Sequence, residues 1–169
     1  MESVRYEEML MLEKQLKRKI SGVRRIVMRC NYGFPVVIEN DCEIDGKPFP
    51  TLFWLVCPKL VKEVSRLEAN GWIKKFESMI EQDQEFKRSY IQAHDVIRKL
   101  RNDVLEKETI RRIFSEMGTG GIRNLESVKC LHLHVADYLA GVMNPVGERI
   151  LSMVGKPFCE DNRVICREL

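Results

Sequence analysis

No stretch of this chain is apolar over the ~20 residues that a membrane-spanning helix needs. Its first residues, MESVRYEEMLMLEKQLKRK, carry acids early and lack the apolar core of a secretory leader. Both absences point to the cytoplasm, where disulfides are uncommon. Charge of one sign is missing too. The 28 Lys and Arg residues against 25 Asp and Glu leave a net charge of +3, too even for a nucleic-acid-binding domain. There is no Walker phosphate loop, no G-x-G-x-x-G, no C-x-x-C knuckle, no repeat and no low-complexity tract. Histidine is scarce, with three in the chain.

What is present fits a folded domain. At 169 residues and 44% hydrophobic content, the chain suits one domain, 1–169, with a core of its own. Its first part, 1–57, reads as a helix plus a small sheet. Tyr6, Met9, Leu12 and Leu16 recur at helical spacing over the first ~20 residues. Residues 23–29 and 36–39 read as a hairpin around the turn at 31–35, and 51–56 as a third, apolar strand. Pro58 opens a helix closed by Asn70-Gly71, and 72–82 forms another. The spacing then predicts one long helix over 83–117 with a narrow apolar stripe, a face on which two copies could pair as a homodimer. A Gly118–Gly121 loop, helices at 125–142 and 146–154, and an irregular tail at 157–169 complete the helical part, 58–155, and the tail, 156–169. The expected fold class is α+β: a small N-terminal antiparallel sheet packed against a mostly helical remainder.

Chemistry concentrates at Lys129-Cys130-Leu131-His132-Leu133-His134. On a helix, Cys130 and His134 share a face at i,i+4; on a strand, Cys130, His132 and His134 share one. The apolar period running on to Val142 favours the helix. In a reducing compartment, six cysteines are free thiols, metal ligands or catalytic groups. Cys30, Cys57 and Cys130 with one histidine would make a four-ligand zinc site, drawn from separate elements. Cys130, with Lys129 beside it and histidines near, also suits a nucleophile with His132 as base. A third reading is anion binding, by Gly120, Gly121 and Arg123 at a helix start. Cys42, Cys159 and Cys166 have no assigned role, and the spacing of the last two is wrong for a zinc knuckle.

An ordered series of blocks carries a resemblance. Arg29-Cys30-x-x-Gly33-x-Pro35, Asp45-Gly46-x-Pro48-Phe49-Pro50-Thr51, Leu55-x-Cys57-Pro58 and Arg66-Leu67-Glu68-x-x-Gly71 are followed by Ala93-His94, Val128-Lys129-Cys130-Leu131-His132 and Asn144-Pro145-x-Gly147. Together, from about residue 8 to 155, they resemble the bacterial domain of unknown function 501 family. The resemblance implies no activity, but it selects residues. Cys30, Cys57, Cys130 and His132 fall inside the blocks, as ligands for zinc or an iron–sulfur cluster, with His134 as a substitute ligand. The rival expectation is an enzyme acting on a phosphorylated or otherwise anionic small molecule. Arg29, Lys129, Arg123 and the glycine loop would hold the anion, and Cys130 or His132 would do the chemistry. A third expectation is a helical interaction module built on 83–117.

Overall fold

The computed structural model describes residues 4–169. Helix α1 covers Tyr6–Leu16, and Lys17 in the left-handed region (φ 55°) stops it. Residues 1–3 of the expected N-terminal helix lie outside the described residues. Strands β1 (Val23–Arg29), β2 (Pro35–Asn40) and β5 (Phe53–Leu55) form an antiparallel sheet in the order β1-β2-β5. Between them, β3 (Glu43–Ile44) and β4 (Lys47–Pro48) make a small separate hairpin.

Every residue of the central strand β2 is buried, because both faces of the sheet are covered. Ile38 and Val56 pack with Leu12 of α1 on one face, while Val37, Phe53 and Leu55 join the main core on the other. Full burial of each such aliphatic side chain stabilises the fold by roughly 1.5–3 kcal/mol. Glu39 is tolerated on this buried strand because Arg24 and Arg25 pair with its carboxylate at 3.3 and 2.6 Å.

The helical part follows: α2 (Pro58–Ala69), α3 (Trp72–Gln82), α4 (Gln84–Val104), α5 (Glu108–Phe114), α6 (Leu131–Leu139) and α7 (Pro145–Val154). α6 lies against β5, α2 and α7, and so sits at the centre of the packing. Its contact with α7 is close, since a Cβ on Gly147 would lie 2.1 Å from the His134 carbonyl oxygen. The class is α+β, as the sequence indicates.

Two expected boundaries fail. The helix over 83–117 is two helices. The chain leaves helical geometry at Leu105 (φ −90°, ψ 124°), whose side chain is buried. Arg101 explains the break: its guanidinium donates to the carbonyls of Phe114, Gly118 (3.0 Å) and Met117 at the end of the next segment. Those carbonyls fold back over α4 instead of extending it. The helix expected over 125–142 begins only at Leu131. Upstream, the backbone is held out of helical geometry by tertiary polar contacts. The Val128 amide donates to Glu77 at 3.0 Å, and the Ser127 carbonyl accepts from Tyr90 Oη at 2.8 Å. Asn124 caps a local turn, accepting from the Glu126 amide at 3.0 Å, rather than starting a helix.

Candidate functional site

The late start of α6 decides the geometry around Cys130. Cys130 is the N-cap, in extended conformation (φ −163°, ψ 137°). It stands outside the helix, so the i,i+4 pairing with His134 does not form. Cys130 Sγ instead lies 3.6 Å from His132 Nδ1. From α2, Glu68 Oε1 reaches the same Nδ1 at 3.2 Å and accepts from the Leu131 amide at 2.6 Å. The three ligand atoms lie within 4.8 Å of one another. Cys30 and Cys57 do not join this group.

The other ring nitrogen is fixed from α2. His132 Nε2 lies 3.1 Å from the Val61 carbonyl and 3.1 Å from Ser65 Oγ. The Ser65 hydroxyl itself donates to that carbonyl at 2.8 Å. The carbonyl accepts only, so Nε2 carries a proton. When the ring is neutral, the Nδ1 lone pair faces sulfur and carboxylate. Without a metal, the ring gains a second proton readily. Burial opposes the charge, but the Cys130 sulfur, the Glu68 carboxylate and the Val61 carbonyl outweigh it. Together they raise the His132 pKa to about 9.

The group opens onto a cavity of about 310 Å³ lined by Arg18, Phe49, Trp54, Lys129, Cys130 and Leu133 among others. The walls are mostly apolar. Arg18 stacks over Trp54 with its Cζ 4.7 Å from the ring centre, and Lys129 Nζ donates to the Gly120 carbonyl at 3.0 Å. Two cations therefore stand at the cavity beside the Cys–His–Glu group.

The remaining expected residues lie elsewhere. Arg29 is an outlying strand end, paired with Glu8 of α1 and with the Gly33 carbonyl. Arg123 is exposed. Three amides of the glycine loop are already engaged. Gly118 N donates to Ile122 O, Gly121 N to Gly118 O, and Thr119 N to His94 Nδ1. A Cβ on Gly120 would meet Leu133 at 2.3 Å, so this glycine serves packing.

His134, the expected substitute ligand, has both nitrogens occupied in a sealed network. Tyr90 Oη donates to Ser127, so it accepts from His134 Nε2 at 3.2 Å. Nδ1 then accepts from Asn144 Nδ2 at 3.0 Å. Burial, and after it the neighbouring His94, lower the His134 pKa to about 3. His94 is lowered to about 4, chiefly by burial and then by Arg98. Asp137, 1% exposed, is raised to about 7 by burial against the opposing hydrogen bonds of Thr119 and Asn144. Sequence reasoning missed Glu68 and Ser65. Glu68 stands in one of the quoted blocks, which was the available signal, but its place opposite His132 depends on how α2 crosses α6.

Comparison with known proteins agrees with the resemblance of the blocks. Residues 26–152 match the family described as "Protein of unknown function (DUF501)". No curated protein and no solved structure matches the chain.

Proposed function

The chain belongs to the DUF501 family, whose description names no activity, and we therefore propose a function from the site alone. Cys130, His132 and Glu68 hold a zinc-type divalent cation, with one position open to the cavity for a small anionic ligand. One observation carries this reading: sulfur and carboxylate converge on the same imidazole nitrogen, Nδ1. In a nucleophile–base–orienter triad, the thiol and carboxylate would engage opposite ring nitrogens. Here Nε2 is tied to a backbone carbonyl, the support that orients a metal-ligating histidine.

Three protein ligands and an open fourth position form the catalytic arrangement of zinc, which supplies a water acidified to a pKa of about 7. The protein's own groups do the rest. Arg18 and Lys129 attract an anion, and the aromatic walls receive an apolar body. The test is anaerobic, tag-free purification followed by metal analysis and zinc titration. A loss of about one equivalent of zinc in His132→Ala, counted against the wild-type content, is the supporting result. Zinc binding unchanged in both His132→Ala and Cys130→Ala would overturn the reading.

A further inference from the structure

Cys30, Cys57, Cys159 and Cys166 stand outside the Cys130 group, in segments that the fold ties to one another. Cys30 closes a turn after β1, donating its amide to the Phe34 carbonyl at 2.9 Å and accepting from the Gly33 amide at 2.9 Å. Cys57 is the N-cap of α2. The C-terminal tail docks on both. Tyr32 Oη, two residues after Cys30, donates to Asp161, two residues after Cys159, at 2.5 Å. Lys59 Nζ, two residues after Cys57, donates to the carbonyl of Phe158, the neighbour of Cys159. The guanidinium of Arg167, next to Cys166, lies 5.3 Å from the centre of the Tyr32 ring. Gln15 of α1 donates to both the Pro35 carbonyl (3.0 Å) and Cys166 Sγ (3.3 Å), so Cys166 is tied to the strand that leaves the Cys30 turn. The short turn Ile165–Arg167 packs against α2. Every one of the four cysteines is thus tethered, directly or through a near neighbour, to the segment of another.

We propose that Cys30, Cys57, Cys159 and Cys166 form a structural site for a single Zn²⁺, separate from the Cys130 group and independent of it.

Physical chemistry supports the assignment. Cys57 accepts from the Lys59 and Leu60 amides, bonds that stabilise a thiolate. Burial raises the Cys57 thiol to about 11, and the nearby Cys166 and Cys159 push in the same direction. For Cys166 burial again leads, and Cys159 and Cys30 add to it. A zinc ion bound by these sulfurs would hold them as thiolates, since metal-bound thiols are deprotonated. No three of the four sulfurs lie within 4.8 Å of one another, so binding draws them inward to the Zn–S distance of about 2.3 Å. On binding, the thiols release their protons and the zinc closes a tetrahedral site with no open position. That is the structural rather than the catalytic form. Its effect is to fasten the tail to α2 and to the Cys30 turn.

The experiment uses the full chain, purified anaerobically without added metal, as wild type and as a Cys130→Ala/His132→Ala double variant. The double variant, which keeps all four thiols, is expected to retain about one zinc. Replacement by Co²⁺ should give a near-ultraviolet sulfur-to-cobalt charge-transfer band undiminished by the double substitution. Adding Cys159→Ser and Cys166→Ser should abolish both signals. Less than a tenth of an equivalent of zinc in the double variant would overturn the proposal. So would iron in its place, a disulfide among the four thiols, or zinc that survives loss of both tail cysteines. Because the double variant lacks the Cys130 group, failure of either site is read separately.

Discussion

His132 and His134 stand two residues apart on one short helix, yet the fold drives them in opposite directions. His132 is partly exposed and faces a sulfur and a carboxylate, which raise its pKa to about 9. His134 is sealed among Tyr90, His94 and Asn144, and burial lowers it to about 3. In the function proposed above, the first exchanges a proton for a cation; the second is a neutral hydrogen-bonding strut. Residue type and spacing do not separate these roles. What separates them is the rotation that two positions impose on a helix, turning one ring toward α2 and the cavity and the other toward α4 and α7.

The largest expected effect lies on the sealed side. His134→Ala removes a fully buried ring and leaves Tyr90 and Asn144 without it. A loss of roughly 3–5 kcal/mol is expected by chemical denaturation, with zinc affinity unchanged in the protein that remains folded. On the open side the pattern should invert. Glu68→Gln is expected to weaken zinc binding by about 100-fold in titration calorimetry, while stability without metal moves by less than about 1 kcal/mol. Equal effects of the two substitutions on both readouts would break the comparison.

Acidity sharpens it next. Asp137→Asn should stabilise the protein by roughly 1–3 kcal/mol at pH 8 and by little at pH 5. The raised folded pKa of about 7 means that Asp137's favourable contribution is present below the unfolded pKa near 4 and is lost as pH climbs through 7. His94 and His134 run the other way. Their folded values of about 4 and 3 give stability that is present above about 6.5 and lost as pH falls toward 4. Two histidines against one aspartate predict net acid destabilisation between pH 6.5 and 4, readable as a fall in the urea midpoint. His132 contributes with the opposite sign, present below about 6.5 and lost as pH rises through 9. Because zinc must displace its proton, affinity should drop at least about tenfold for each unit of pH below 9.

The smallest effect is expected at Ser65→Ala. It removes one of two partners of His132 Nε2 and leaves the Val61 carbonyl in place. A loss of up to about tenfold in zinc affinity would confirm the supporting role.

Much of the fold was legible. The hairpin at 23–39, the apolar strand before Pro58 and the helices at 58–69 and 72–82 follow local spacing and capping, and all appear. The misses share a cause. The break at Leu105 and the late start of α6 depend on Arg101, Glu77 and Tyr90, whose partners are remote in sequence. Periodicity could not register those contacts. The site was half legible. Cys130 and His132 were marked by their density and by the family-like block, while Glu68 needed the crossing of two helices. Cys159 and Cys166 were set aside because knuckle spacing is a local test, and their neighbours here come from residues 30 and 57.

Arg101 has a final consequence. Its side chain is fully buried, and the oxygens it meets are the carbonyls of Pro50, Phe114, Met117 and Gly118. Those peptide dipoles stand where hydration would otherwise be, so the domain solvates this charge with its own backbone. The arrangement makes the guanidinium an internal gauge of assembly. It is comfortable only when the 50s loop, α5 and the glycine turn have all arrived, and any state lacking one of them leaves a cation stranded in a dry interior.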